Sequence, residues 1–311
     1  MRTVTAFAPA SVGNVGAGFD VLGHALAPVG DEVTLTAIES NDILVGKIAG
    51  VVDQLPIDPE LNTATRPLIA MRDDFGIDGG LRVDVLKGIP LGSGMGGSAA
   101  SAVAAVVAAD EFWQMGLDLM QLLSYALLGE KVASGAAHPD NVAPSLVGGL
   151  VMCEQGGDRI HLTRLPVPRD LKCVLVHPEI VINTQEARAL LSKEVALTDY
   201  VLQSQYLAGF IAGCCLGDAE QIGRCLTDVV IEPQRSTLIP AFEAVRAAAM
   251  EAGALGMSIS GSGPSVFAWC RQGVAERVAA SMSAVFATAR VDSQSWVSAI
   301  DTPGARVIKR S

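Results

Sequence analysis

Aromatic side chains are scarce in this sequence, at 5% of 311 residues, so a core must be built from aliphatic residues and alanine. Basic residues are outnumbered: 22 lysines and arginines stand against 33 acids, a formal net charge of −11. That balance argues against nucleic acid or an anionic membrane as a partner, since both call for a basic surface. The cysteines, Cys153, Cys173, Cys214, Cys215, Cys225 and Cys270, include no C-x-x-C pair. They read as reduced, mostly buried thiols, and the adjacent Cys214–Cys215 as core packing. No apolar run approaches the length of a membrane span. Met1–Ala8 lacks the charged start and apolar centre of a secretory signal, so a cytoplasmic location is expected.

Half of the residues are hydrophobic, ample for a large core, and the length favours two domains. The stretch that organises the chain is Pro90–Ser101, PLGSGMGGSAAS. Before it, Leu81, Val83 and Val85 alternate with Arg82, Asp84 and Lys87, the pattern of a half-buried strand. After it, SAASAVAAVVAADEFW is rich in alanine and reads as a buried helix. Strand, glycine loop and helix start follow in that order. Gly92, Gly94, Gly96 and Gly97 permit positive φ and remove side chains, so backbone N–H groups can converge. With the unpaired amides and positive dipole end of the helix, this suits a phosphate.

Known phosphate signatures fit poorly. Gly92, Gly94 and Gly97 match G-x-G-x-x-G, but no second strand ending in an acid follows, which argues against a dehydrogenase. No Lys-Ser/Thr pair follows the last glycine, as a P-loop requires, and protein-kinase signatures are absent.

Along the chain, Thr3–Ala8, Asp31–Ile38 and Asn41–Gly50 read as strands and Thr63–Phe75 as a helix. Asn14 and Asp20 lie on a glycine-dense loop, as turn caps or as a polar binding surface. Leu117–Ala133 carries an apolar helical stripe that Glu130 continues; a carboxylate there pairs with Lys131, emerges at the helix end, or binds a metal. Ser134–Pro144 is expected as a polar loop holding His138, Asp140 and Asn141, with Ser145–Gly148 and Leu150–Cys153 as a hairpin. Lys172–His177 opens a second domain, and Thr184 is a good N-cap for a helix carrying Arg188. Tyr200–Leu216, Asp218–Thr227, Ala241–Glu251 and Val274–Phe286 read as helices. Glu232–Pro240 is a loop holding Arg235; strands at Gly256–Ser260 and Ser265–Trp269 meet at Gly261–Pro264. Ser295–Ile300 and Arg306–Lys309 read as short closing strands.

Three stretches resemble one family. PLGSGMGGSAAS resembles the phosphate loop of the small-molecule kinases known as GHMP kinases. PASVGNVGAGFDVLG at Pro9–Gly23 and GMSISGSGPSVFA at Gly256–Ala268 resemble its other signatures. The first of these two, with HPDNVAPSLVGG at His138–Gly149, resembles the branch acting on homoserine. Gly97 departs from the family, which usually has the first of two serines there; Ser98, the second, is present.

The resemblance implies a two-domain α+β fold: residues 1–166 an ATP-binding α/β domain with the glycine loop, 167–311 a ferredoxin-like domain, the site in the cleft between them. It implies that Pro90, Leu91, Gly92, Ser93, Gly94, Met95, Gly96, Gly97, Ser98, Ala99 and Ala100 line ATP. Ser98 and Glu130 would ligate Mg²⁺, and Asn14, Asp20, His138, Arg188 and Arg235 would hold L-homoserine. Asn141 would hold the attacking hydroxyl, with Asp140 the alternative as a base, and Thr184 would lie near the γ-phosphate. A homodimer is implied by resemblance only. Two other readings remain open: a mevalonate-type kinase, and a non-catalytic ligand sensor.

Overall fold

The computed structural model describes residues 2–157 and 159–311. The first half builds β1 (Thr3–Gly13), β2 (Leu22–Ile38), β3 (Ile43–Gly50), α1 (Thr65–Phe75), β4 (Gly80–Lys87), α2 (Gly97–Trp113), α3 (Leu119–Ser134), α4 (Pro139–Val147), β5 (Leu150–Gly156) and β6 (Arg159–Leu165). Then come β7 (Leu171–Pro178), α5 (Thr184–Ala189), α6 (Leu197–Leu216), α7 (Ala219–Cys225), α8 (Glu232–Arg235), α9 (Phe242–Glu251), β8 (Ala254–Ile259), β9 (Val266–Arg271), α10 (Ala275–Thr288), β10 (Ser293–Ala299) and β11 (Arg306–Arg310).

A seven-stranded sheet runs in the order β11-β1-β2-β4-β3, with β5 pairing β2 and β6 pairing β5. Among the described residues, only β3 and β4 pair in parallel. The last strand thus returns to the first sheet, Val4 standing opposite Arg310. The second sheet has the order β10-β7-β9-β8 and is antiparallel throughout. With α9 and α10 behind it, this is the ferredoxin-like arrangement.

Alanine explains how α2 sits so deep. Ala99, Ala100, Ala102, Ala104 and Ala105 are fully buried, so the helix lies close against the first sheet without displacing larger side chains. α3 starts at a capping box: Asp118 accepts from the Gln121 amide at 2.8 Å, and Gln121 accepts from the Asp118 amide at 2.9 Å. β7 is buried on both faces, as its unbroken apolar run requires. Cys173 and Leu175 join the core of the first sheet, whereas Val174 and Val176 pack with α9 and α10.

The cores of the two halves merge at His24 on β2. Trp269 on β9 donates to His24 Nε2 at 3.3 Å, and His24 Nδ1 lies 2.9 Å from the Ala25 carbonyl. That bonding leaves a neutral imidazole with its proton on Nδ1. Burial pushes its pKa down to about 4. A histidine held below its unfolded value contributes stability that is full above about pH 6.5 and is lost as pH falls through about 4. In urea titrations, wild type should therefore lose about 3 kcal/mol more than His24→Gln between pH 7 and pH 4. Parallel losses would exclude this role.

Some sequence expectations are corrected. Residues 139–147 are a helix, not a loop followed by a strand: Pro139 sits at the first helical position, where its missing N–H costs nothing, and Asp140 occupies the first turn. β5 therefore pairs with β2 and β6 and not with 145–148. The expected loop at 232–240 opens with a turn of helix, α8. Asn183, not Thr184, caps α5, its side chain accepting from the Gln185 amide at 2.8 Å. Lys87 does not alternate outward. It shares odd parity with Leu81, Val83 and Val85 and is buried with them.

Candidate active site

β4 delivers the chain into the glycine loop, and α2 takes it out. Gly92, Gly94 and Gly96 have φ of 59°, 73° and 66°, the left-handed region that favours glycine. At Gly94 and Gly96 the approach is also too close for a side chain. A Cβ would lie 2.4 Å from the Ser260 carbonyl oxygen at the first and 2.1 Å from Ser11 Oγ at the second. Loop carbonyls are tied outward: Ser260 Oγ donates to Gly94 O at 2.7 Å, the Ser11 amide to Met95 O at 3.0 Å, and the Ser265 amide to Ser93 O at 3.2 Å. No side chain among the described residues caps the first turn of α2. Its amides are therefore available to an anion.

The loop borders a cleft of about 310 Å³. Of the residues expected at ATP, Pro90–Gly94 and Gly96–Ser98 line it. Met95, Ala99 and Ala100 are instead fully buried and face the core. Ser98 and Glu130 meet: Ser98 Oγ donates to Glu130 Oε2 at 2.5 Å, joining the first turn of α2 to α3. One carboxylate and one hydroxyl beside a phosphate cradle fit Mg²⁺, which takes oxygen donors and few protein ligands.

Charges of both signs fill the other end. Asp20, at φ 55°, forms an ion pair with Arg188 from α5, and His138 Nδ1 lies 3.9 Å from Asp20 Oδ1. Asn14, also at positive φ, is spent on structure: its side chain donates to the Gly261 carbonyl at 2.9 Å and accepts from the Asp20 amide at 2.9 Å. Arg235 is buried and donates to the Gly261 carbonyl at 3.2 Å. Thr184 Oγ1 lies 3.3 Å from Ser262 Oγ. Asn141 Oδ1 accepts from Ser11 Oγ at 2.9 Å, and its amino group donates to Asp140 at 3.4 Å.

The sequence reading missed Phe19 and underweighted Asp140. Both arginines reach the Phe19 ring, the Arg188 guanidinium at 5.3 Å from its centre and that of Arg235 at 5.2 Å. It holds two like charges side by side through cation–π contact. Its place next to Asp20 was the available signal. Asp140 accepts from the Asn14 amide at 3.2 Å, while its Oδ1 has no partner among the described residues. Burial first, then the Asp20 charge, raises its pKa to about 7. Burial holds His138 below its ordinary value.

A phosphate cradle set against a pocket with acids on one wall and two arginines on the other is the equipment of a small-molecule kinase. The chain belongs to the GHMP kinase family: "GHMP kinases N terminal domain" matches residues 62–149 and "GHMP kinases C terminal" matches 210–288. Homoserine kinases are among its curated relatives. That of Xylella fastidiosa strain 9a5c is 45% identical over 304 residues, covering 97% of this chain and 93% of that protein. That of Chlorobium phaeobacteroides strain BS1 is 42% identical over 321 residues, covering 99% and 100%. The crystal structure of homoserine kinase from Cytophaga hutchinsonii superposes with a TM-score of 0.95 at 40% identity, covering 98% of this chain and 97% of the other.

Proposed function

We propose that this kinase transfers the γ-phosphate of MgATP to the side-chain hydroxyl of L-homoserine, giving O-phospho-L-homoserine, the precursor of threonine. The observation that carries the proposal is the two-signed pocket beside the glycine loop, which matches an amino-acid zwitterion. Arg188 and Arg235, both over the Phe19 ring, take the carboxylate as a guanidinium pair can. Asp20 and Asp140 form the acidic wall for the amine, with His138 completing it and Asn14 holding the Asp20 backbone in place. Asp20 is already paired with Arg188, so substrate binding inserts a zwitterion into an existing ion pair.

The amides of residues 91–99 hold the ATP phosphates. Bound at Ser98 and Glu130, Mg²⁺ supplies charge neutralisation at the phosphate oxygens. Asn141 keeps a free N–H after its bond to Asp140 and holds the homoserine hydroxyl. Thr184 and Ser262 face the region of transfer from the other side. Phosphoryl transfer asks mainly for positioning and electrostatic stabilisation, so this set needs no strong protein base.

Coupled turnover with MgATP and L-homoserine, mevalonate, galactose or L-serine tests the reading. Turnover selective for L-homoserine over mevalonate and galactose by about a hundredfold or more is expected, since a buried charge left unpaired costs several kcal/mol, and over L-serine by about tenfold or more, for the missing methylene. A preference for mevalonate would favour the mevalonate-type reading, in which the acidic wall meets no amine. Binding without turnover would mark a ligand sensor.

A further inference from the structure

Beneath the glycine loop three polar side chains are buried together. Lys87 at the end of β4, Asp31 on β2 and Ser101 in α2 are 3%, 0% and 1% exposed. The Lys87 ammonium pairs with Asp31 and donates to the Gly97 carbonyl at 2.9 Å and to Ser101 Oγ at 3.0 Å. Asp31 accepts from the Gly88 amide at 3.0 Å, the Ile89 amide at 3.3 Å and Ser101 Oγ at 2.7 Å. Lys87 thus spends three donors on three acceptors, and both Asp31 oxygens are satisfied.

The connections matter more than the count. Gly88 and Ile89 lead into the loop; Gly97 and Ser101 lead out of it. Asp31 ties both ends to β2, and Lys87 at the end of β4 ties the exit to the entry, so the distance between them is fixed. A buried ion pair is weak evidence of stabilisation, because an apolar set of the same volume often does as well. What it adds here is directional: it fixes where the loop begins and where α2 begins. The missing side chain of Gly97 points into the same space, where a Cβ would meet Ile89 Cγ2 at 3.1 Å and Lys87 Nζ at 3.5 Å.

We propose that Lys87, with Asp31 and Ser101, positions the glycine loop for nucleotide without touching it, preorganising the loop amides at the spacing that the ATP phosphates require. The proposal rests on the reading of Pro90–Ser101 as the ATP-phosphate site. Lys87 is a positioning residue, and its effect is on the nucleotide side of the reaction.

Steady-state kinetics and calorimetric ADP binding on Lys87→Met and Ser101→Ala, beside wild type, test it. KM for MgATP should rise about tenfold in Lys87→Met and about threefold in Ser101→Ala, with KM for L-homoserine changed less than about twofold. ADP affinity should fall in step. Ser101→Ala removes one hydroxyl and decides alone if Lys87→Met does not fold. Nucleotide parameters within about twofold of wild type, or equal rises in both KM values, overturn the proposal. A wild type that binds no ADP overturns the phosphate-loop reading instead.

Discussion

Asp140→Asn is expected to yield a protein more stable than wild type at pH 8 and nearly inactive. Asp140 is buried in the first turn of α4, and one of its oxygens has no partner among the described residues. Burial and the Asp20 charge hold its carboxyl at about 7 instead of the ordinary 3.8. A group whose folded value is raised contributes stability that is full below its unfolded value and is lost as pH rises through the folded one. Above about pH 7 the native state therefore carries an ionised carboxylate where a neutral group is preferred. Asparagine removes that penalty, at most about 4 kcal/mol, and keeps an oxygen for the Asn14 amide. Calorimetry at pH 8 should show a higher Tm, by about 2 °C for each kcal/mol gained.

The same substitution removes half of the acidic wall. Loss of one partner of a desolvated charge pair costs about 2–5 kcal/mol, so kcat/KM for L-homoserine should fall on the order of a hundredfold or more. Wild-type kcat/KM should rise with pH through about 7, as Asp140 ionises in the free enzyme, and the variant's should be flat. A lower Tm at pH 8 with kcat/KM intact would dismiss both halves of the argument. A collapse of kcat with KM unchanged, and Asn141→Ala nearly silent, would mean that Asp140 takes the hydroxyl proton.

The second large effect belongs to Glu130→Gln. The amide keeps the contact with Ser98 but gives up the charge beside the first turn of α2. If that carboxylate holds the metal, kcat should fall roughly a thousandfold, the scale of removing one dedicated group that stabilises transition-state charge. The Mg²⁺ concentration for half-maximal rate should rise, while ADP binding without metal stays near wild type. A loss below about fivefold would move the metal away from Glu130.

The parts of this site that the sequence made legible are local. Three glycines, Gly92, Gly94 and Gly96, between a strand and an alanine-rich helix dictate a left-handed loop, whatever lies around it. Glu130 announces itself because a carboxylate on an apolar stripe must have a reason. What stayed hidden depends on distance in the chain or on competing signals. Asp20 and Arg188 are 168 residues apart, and no pattern in either segment shows the pair. Ser134–Pro144 reads as a polar loop, yet Pro139 stands where a helix welcomes proline and Pro144 is carried inside the same helix. Lys87 was misread by its chemistry, since strand parity already placed it inside. The return of β11 to β1 is likewise a long-range pairing that two short strand patterns cannot announce.

The shared core around His24 and Trp269 has a mechanical consequence. Phe210, Phe267 and Trp269 from the second half pack in one continuous apolar cluster with Leu22, Leu26 and Val12 from the first. Domains that swing about a hinge keep a thin, polar seam between them. Here a swing would have to tear a hydrocarbon interior. The cleft is a notch in a single block, not a gap between two jaws, and adjustment to substrate falls to the side chains and short loops along its rim.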